Sequence, residues 1–364
     1  MTGRQMQPRG ASRVGERFEG VVGPVAHGGH CVLRLEDLPV VFTRHALPGE
    51  RVVVEITEGT DGDRFWRGDA VEVLEASPDR VPAPCPVAGP DGCGGCDFQH
   101  VALPAQRRLK AAVVTEQLRR LAGLEVDVEV EAVPGDRDGL RWRTRQRYAR
   151  LPDGSRAMRK HRSHDLVKVD DCLIAAPGGP STTVRGRAFS VAADGFWQVH
   201  PGAPEALISA VLEALSPQAG ESVLDLYAGV GLFAAFVAEV AGSTRVVAVE
   251  GDRDACEHAR LNLGEAAEVA CGPVDRILRS SYDEPFDLVV LDPPRAGAKR
   301  RVVEQVVARA PRAVAYVACD PAALARDVAI FAEHGYGLTS LRAFDLFPMT
   351  HHVECVTLLE KIPV

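Results

Sequence analysis

The chain has 364 residues, 46% of them hydrophobic and 25% charged, with a formal net charge of −8 at pH 7. That is a globular composition, with enough length for roughly two or three separate cores. No run of about 18 apolar residues occurs and the first thirty residues lack the apolar stretch of a signal peptide, so membrane spanning and secretion are disfavoured and the cytoplasm is the expected compartment.

Residues 14–76 hold short β-branched runs at 18–22, 31–35, 40–43, 51–56 and 70–74, separated by Gly, Pro and Asp. Five such runs predict a small barrel. Pro78, Pro82, Pro84, Pro86 and Pro90 then prevent regular structure over 77–91. Leu109, Val113, Leu118 and Leu121 recur at helical spacing and stop at Gly123, which predicts a helix over 105–121. A mixed segment runs to about residue 186. From 203 onward helical patterns alternate with short apolar runs at 222–226, 246–250, 288–292 and 313–318, the pattern of a parallel sheet wound on both faces. The expected domains are therefore 1–76, 77–186 and 187–364.

The negative net charge taken alone argues against a polyanionic partner, but its distribution does not. Between Arg137 and Lys168 stand eleven Lys or Arg against three Asp or Glu. Arg141, Arg143, Arg145 and Arg147 recur at every second residue, a spacing that in a β-strand turns all four guanidinium groups to one side. Phosphate contact is one reading and a charged edge strand that resists aggregation is the other.

Nine cysteines in such a chain are expected as metal ligands, catalytic thiols or reduced core residues rather than disulfides. Cys93-Gly94-Gly95-Cys96 places two thiols in one tight turn, with Cys85 upstream across the Pro-rich loop and Cys172 far downstream. The set suits an iron-sulfur cluster or tetrahedral zinc, and spacing does not choose between them. Cys31, Cys256, Cys271 and Cys355 read as small core residues.

Four motifs fall at strand ends of the carboxyl-terminal half. In 223–231, an apolar strand runs through Asp225 and Tyr227 into Gly229-Val230-Gly231, a turn that lets backbone pass close to a nucleoside. Glu250 ends the next strand about twenty residues on, where a carboxylate accepts from ribose hydroxyls. The third glycine of the dinucleotide spacing is missing, which favours S-adenosylmethionine over NAD. Asp292-Pro293-Pro294-Arg295 makes a stiff loop at the same edge, and Arg295 in place of an aromatic residue disfavours methylation of exocyclic amines. Cys319 follows the strand 313–318. Alone it reads as a buried apolar cysteine, but beside a cofactor site it reads as a nucleophile that needs a lowered pKa, which Asp320 opposes unless its carboxylate turns away. Near the terminus His352 and Glu354 are candidate proton acceptors.

These residues together resemble the RNA uracil-5 methyltransferases of tRNA and 23S ribosomal RNA. The matching stretches are Cys85 through Cys96 continuing into Phe98-Gln99-His100, Phe196-Trp197-Gln198, Leu226 through Gly231, Asp292 through Arg295, Tyr316 through Arg326, and Phe347 through Glu354. The resemblance covers nearly the whole chain. It implies an α/β Rossmann-like class I methyltransferase domain, an amino-terminal OB/TRAM-like β-barrel and a mixed α+β cysteine-rich central domain. It further implies Cys319 as nucleophile, Glu354 as base, and Gln198, Tyr227, Gly229, Gly231, Glu250, Asp275 and Asp292 as contacts to S-adenosylmethionine. Cys85, Cys93, Cys96 and Cys172 would ligate a [4Fe-4S] cluster, with zinc the alternative. The partner implied is RNA, with no membrane, and the chain is expected to be a monomer. Asp320 and His200 depart from the family pattern, which commonly has Asn at both places. A cytosine methyltransferase and a non-catalytic RNA-binding paralogue are the rival readings.

Overall fold

A computed structural model describes residues 10–242 and 245–362. The extremities of the expected first and last domains, 1–9 and 363–364, and the pair 243–244 lie outside the described residues. The chain divides into two compact units: residues 1–109, 147–173 and 348–351 form one, and 110–146, 174–347 and 352–364 form the other.

In the first unit, β1 (Arg17–Ala26), β2 (His30–Leu33), β3 (Val40–Arg44), β4 (Arg51–Glu58) and β5 (Phe65–Glu75) close into a barrel in the order β1-β2-β3-β5-β4. The five expected runs all become strands. Alternation puts Val41, Val52, Val54, Ile56 and Trp66 inside, and closure leaves no long unpaired edge. The helix α1 (Leu103–Gln117) continues as one π turn, Leu118–Ala122, and ends at Gly123 with φ 68°, a left-handed cap that suits glycine.

The second unit is a sheet of eight strands in the order β14-β13-β12-β15-β16-β18-β17-β6. Its members are β6 (Val130–Glu131), β12 (Val223–Leu226), β13 (Val246–Glu250), β14 (Glu268–Cys271), β15 (Leu288–Leu291), β16 (Ala313–Ala318), β17 (Tyr336–Phe344) and β18 (Glu354–Lys361). The strands from β14 to β16 run parallel, whereas β18 is antiparallel to β16. Alternate residues divide two cores. Val223, Ala248, Val290 and Ala315 face α2 (Ala203–Leu215), α3 (Leu232–Ala241) and α4 (Arg253–Leu263). Leu224, Val249, Leu291 and Tyr316 face α5 (Val274–Ser280), α6 (Lys299–Ala308) and α7 (Pro321–Glu333). Burial on both faces explains why β12, β15 and β16 are near-continuous apolar runs.

Smaller pairings complete the chain. In the first unit β7 (Ala149–Arg150), β8 (Arg156–Arg159) and β9 (Leu166–Lys168) form a three-stranded sheet, and in the second β10 (Thr183–Val184) and β11 (Arg187–Ala188) form a hairpin.

Two expectations are corrected. The arginine run 141–147 is not a strand, so its side chains do not share one face. Arg141 has φ 56°, outside the extended region. Arg141 and Arg143 donate to the Ala175 and Arg145 carbonyls, and Arg145 to that of Gly195. Backbone carbonyls from three separate parts of the chain have captured these three guanidinium groups. Cys256 and Cys271 are not reduced core residues but a disulfide, with Cα atoms 5.9 Å apart. Parallel pairing sets Glu250 opposite Cys271, and α4 then carries Cys256 back over that position. Only a register unreadable at a separation of 15 residues brings the two thiols together. Cys31 and Cys355 are free and buried, as expected.

Candidate active site at the carboxyl edge of the parallel sheet

Parallel strands end on one edge, so residues that follow different strands gather there. Leu226 pairs with Val249 on one side and Leu291 on the other, and Leu291 pairs with Tyr316. These registers align Tyr227, Glu250, Asp292 and Cys319 along a single edge.

The turn after β12 is tightly made. Tyr227 has φ 63° and Gly229 φ 55°, and Gly231, at φ 87°, caps α3. A Cβ on Gly231 would lie 2.8 Å from the Leu263 side chain, so only glycine fits this approach. Glu250 accepts the Gly229 amide at 2.8 Å and the Asp252 amide at 2.7 Å, which fixes its carboxylate against the turn. Asp225, inside β12 and fully buried, accepts the Ala234 amide at 2.8 Å, and burial pushes its carboxyl up to about 8. It ties the strand to the first turn of α3.

Asp292 donates its amide to the Leu226 carbonyl at 3.2 Å, and desolvation reinforced by Glu250 raises its carboxyl to about 7. The loop beyond it is held from below. Asp327, buried on α7, accepts the Tyr316 hydroxyl and the Ala298 amide, each at 2.7 Å. Gly297 is packed so closely that a Cβ would meet the Arg326 and Asp327 side chains.

Cys319 directly precedes the amino terminus of α7. Asp320 caps that helix, accepting the Ala323 amide at 2.8 Å, so its carboxylate is turned into its own helix. Burial nevertheless pushes the Cys319 thiol to about 12, with Glu354 and Asp292 adding repulsion, Arg295 opposing them and Asp320 contributing least. Glu354 arrives from the other direction. Because β18 is antiparallel to β16, the first residue of β18 lies beside the last of β16, with Ala318 paired to Cys355. Glu354 is 4% exposed, and burial with the Asp292 charge holds its carboxyl far above the ordinary range, relieved only by Arg295. The Arg295 guanidinium stands 3.2 Å from the His352 ring. The edge thus collects one thiol, several carboxyl groups and one cation.

The remaining expected residues sit as follows. Gln198 is half-buried beside Trp197, which packs through Phe189 against Phe236 of α3. Asp275 lies in the first turn of α5, its carboxylate 3.2 Å from Arg301, and its charge reaches the Tyr227 phenol. In the first unit, the Gly95 amide donates to the Cys93 sulfur at 3.4 Å, and a Cβ on Gly94 would lie 2.7 Å from the His161 Cα. Burial raises the Cys93 thiol, and repulsion from Cys172 and Cys85 adds to it. Among the described residues, however, no three His, Cys, Asp or Glu side chains converge closely enough to hold a metal ion. The quartet Cys85, Cys93, Cys96 and Cys172 is gathered without forming a closed donor set, so this placement does not support the expected cluster or its zinc alternative.

Sequence reasoning missed the structural roles of Asp225, Arg295 and Asp327. An acid inside an otherwise apolar strand was a usable signal for Asp225. Asp327 had none, since one acid on an amphipathic helix reads as its wet face.

Residues 272–362 match the family model for tRNA (uracil-5-)-methyltransferases, and residues 206–316 match a small methyltransferase domain. An RNA methyltransferase of Streptomyces avermitilis is 44% identical, covering 95% of this chain and 99% of its own length. The 23S rRNA (uracil(1939)-C(5))-methyltransferase RlmD of Vibrio parahaemolyticus is 28% identical over 98% of this chain and 99% of its own. The crystal structure of the Pyrococcus abyssi tRNA (uracil-54, C5)-methyltransferase with S-adenosyl-L-homocysteine superposes with TM-score 0.68 at 21% identity, covering 94% of this chain and 99% of that one. At that identity the likeness establishes the class I methyltransferase fold. Among the described residues no helix is long and apolar enough to cross a membrane.

Proposed function

We propose that this chain, which belongs to the RNA uracil-5 methyltransferase family, moves a methyl group from S-adenosylmethionine to carbon 5 of a uridine in 23S rRNA or tRNA. The observation that carries the reading is the Ala318–Cys355 pairing, which delivers Cys319 and Glu354 to the edge that also holds Asp292.

Carbon 5 of uracil is a weak nucleophile. In the proposed reaction the Cys319 thiolate adds to carbon 6, and the electron pair displaced onto the enolate attacks the sulfonium methyl. The sulfonium leaves as a neutral thioether. Glu354 takes the carbon 5 proton, the ring double bond re-forms, and the carbon–sulfur bond breaks to return the thiolate. Gly229, Gly231 and Glu250 would seat the nucleoside of the donor, with Tyr227, Gln198, Asp275 and Asp292 around it. The high pKa values of Cys319 and Glu354 belong to the ligand-free enzyme. A sulfonium bound near Asp292 would add to the positive charge of Arg295 on this acidic edge, which favours both ionised forms. The target base must leave its stack to meet the thiol, which suits a looped RNA. For Cys85, Cys93, Cys96 and Cys172 the cluster reading rests on the family resemblance and residue type, and no step runs through it.

The test is methyl transfer to RNA extracted from cells that lack the protein, followed by nucleoside mass mapping. 5-Methyluridine is the expected product. 5-Methylcytidine, or RNA binding with no transfer at all, would overturn the proposal in favour of one or the other rival.

A further inference from the structure

The Arg295 guanidinium is the cation of the candidate edge, and no step above gives it a contact with the substrate. Its placement follows from the sheet order. Arg295 lies four residues beyond β15 and His352 two residues before β18, and β16 runs between those two strands. Neighbouring strands lie about 4.8 Å apart, so β15 and β18 stand roughly 10 Å from each other. The 3.2 Å contact from Arg295 Nη2 to His352 Nε2 closes that gap, arching across the end of β16, the strand that Cys319 follows.

An arginine donates and does not accept, so the His352 nitrogen supplies a lone pair and the ring is neutral, with its proton on Nδ1. The Phe347 ring packs edge-on against that imidazole, centroids 5.9 Å apart, and fixes its plane. Arg300, Arg301 and Arg326, from the helices that follow, each pair with a carboxylate. Among the described residues Arg295 makes no such pair, although Asp292, Asp320 and Glu354 share its edge, and its remaining N–H groups are left for a ligand. Arg295 is exposed and Cys319 half-buried, which puts the guanidinium at the mouth of the site. Its charge reaches the Cys319 thiol and the Glu354 carboxyl alike, so a ring held between those two groups lies beside it.

We propose that Arg295 donates to O4 of the target uracil, both stabilising the enolate and selecting uracil over cytosine. The inference rests on the uridine reading of the preceding subsection. When the Cys319 sulfur bonds to carbon 6, the carbon 5–carbon 6 π pair shifts to carbon 4–carbon 5 and the carbonyl π pair moves onto O4. Negative charge thus leaves the sulfur and arrives at O4, both within reach of one guanidinium. When carbon 5 takes the methyl group, the O4 pair re-forms the carbonyl. Arg295 gives up no proton at any point, because its pKa is far too high. A donor fixed in advance where charge develops acts more strongly on the transition state than on the bound substrate. Cytosine would turn its N4 amino hydrogens toward the same N–H groups, donor against donor, and be rejected.

The test uses full-length protein and RNA from cells that lack it and were grown with 4-thiouracil, so that part of the uridine carries sulfur, a weak acceptor, in place of O4. Both nucleotides then compete in one sample. Mass mapping of 5-methyluridine and 5-methyl-4-thiouridine, corrected for abundance at the modified position, reads the ratio of the two kcat/KM values. Wild-type protein should favour uridine. Arg295→Met should shrink that preference by about tenfold and slow transfer to uridine by about 10²- to 10³-fold, measured under single-turnover conditions. Arg295→Lys, which keeps the charge and loses the planar fork, should fall between the two. A preference unchanged in both variants overturns the proposal whatever their turnover, since a charge acting on the thiol alone, or mere support of the loop, would slow both nucleotides equally. Wild-type turnover in Arg295→Met overturns it as well. If the wild-type protein itself forms no 5-methyluridine, it is the methyltransferase reading beneath the assignment that fails.

Discussion

Ala318 in β16 pairs with Cys355 in the antiparallel β18, and this one register brings Cys319 and Glu354, 35 positions apart in sequence, to the same end of the sheet. A one-residue slip in that pairing would reverse which face each side chain of β18 addresses. The juxtaposition is therefore as firm as the sheet itself.

The two residues are assigned successive steps, so their variants should fail at different points. Cys319→Ala should form no covalent RNA complex. Glu354→Gln should form the complex and release it slowly, with turnover lowered by about 10²- to 10⁴-fold, the usual contribution of a positioned base. Denaturing gels with labelled RNA separate the outcomes. Adduct in the Cys319 variant, or wild-type turnover in the Glu354 variant, would sink the assignment.

What the sequence disclosed follows a physical line. The barrel strands, the helix ending at Gly123 and the parallel strands were legible because alternation, helical spacing and buried apolar runs are local signals. The strand-end residues Glu250, Asp292 and Cys319 were legible too, since a parallel sheet puts every carboxyl end on one side. Whatever depended on pairing was hidden. The Cys256–Cys271 bridge required the β13–β14 register. The arginines at 141–147 had strand spacing but form no strand, and backbone carbonyls, two of them more than thirty residues away, took Arg141, Arg143 and Arg145 instead. The short strand β14 carries an exposed Glu268 and Cys271 and showed no apolar run to read.

Asp225 makes stability depend on pH with a definite sign. Its carboxyl, at about 8 in the folded chain, titrates near 3.9 when unfolded. The folded state thus holds a proton that the unfolded state has released. The associated stability is fully present below about pH 4 and is lost as pH rises through about 8. Asp225→Asn keeps an oxygen for the Ala234 amide and removes the titration. Its melting temperature should therefore gain on the wild type between about pH 5 and pH 8. A constant difference across that range would show that Asp225 is already ionised in the folded enzyme.

Lys110 and Asp345 form a fully buried ion pair at 2.5 Å, and Lys110 also donates to the Phe347 carbonyl at 3.0 Å. Removing one charge leaves the other buried without compensation. Lys110→Met alone should cost about 3–5 kcal/mol in denaturant unfolding, and Lys110→Met combined with Asp345→Leu much less. Equal losses in the single and double variants would mean that packing, not charge, dominates the site.

The Cys256–Cys271 bridge closes a loop with a sequence separation of 15, for which chain entropy alone gives about 3 kcal/mol of stabilisation. Its position adds a second consequence. Cys271 is the register partner of Glu250, and the Cys256 sulfur lies 3.3 Å from the Glu250 carbonyl oxygen, so the bridge backs the carboxylate that grips the Gly229 amide. Reduction, or Cys271→Ser, should therefore lower the melting temperature and weaken binding of S-adenosylhomocysteine together, because the support of the carboxylate proposed to hold the ribose loosens as the loop gains freedom. A thermal scan and a calorimetric titration, each run on oxidised and on reduced protein, measure the two effects. A fall in melting temperature with unchanged affinity would confine the bridge to stability, and no fall at all would mean that the two sulfurs are not joined in solution.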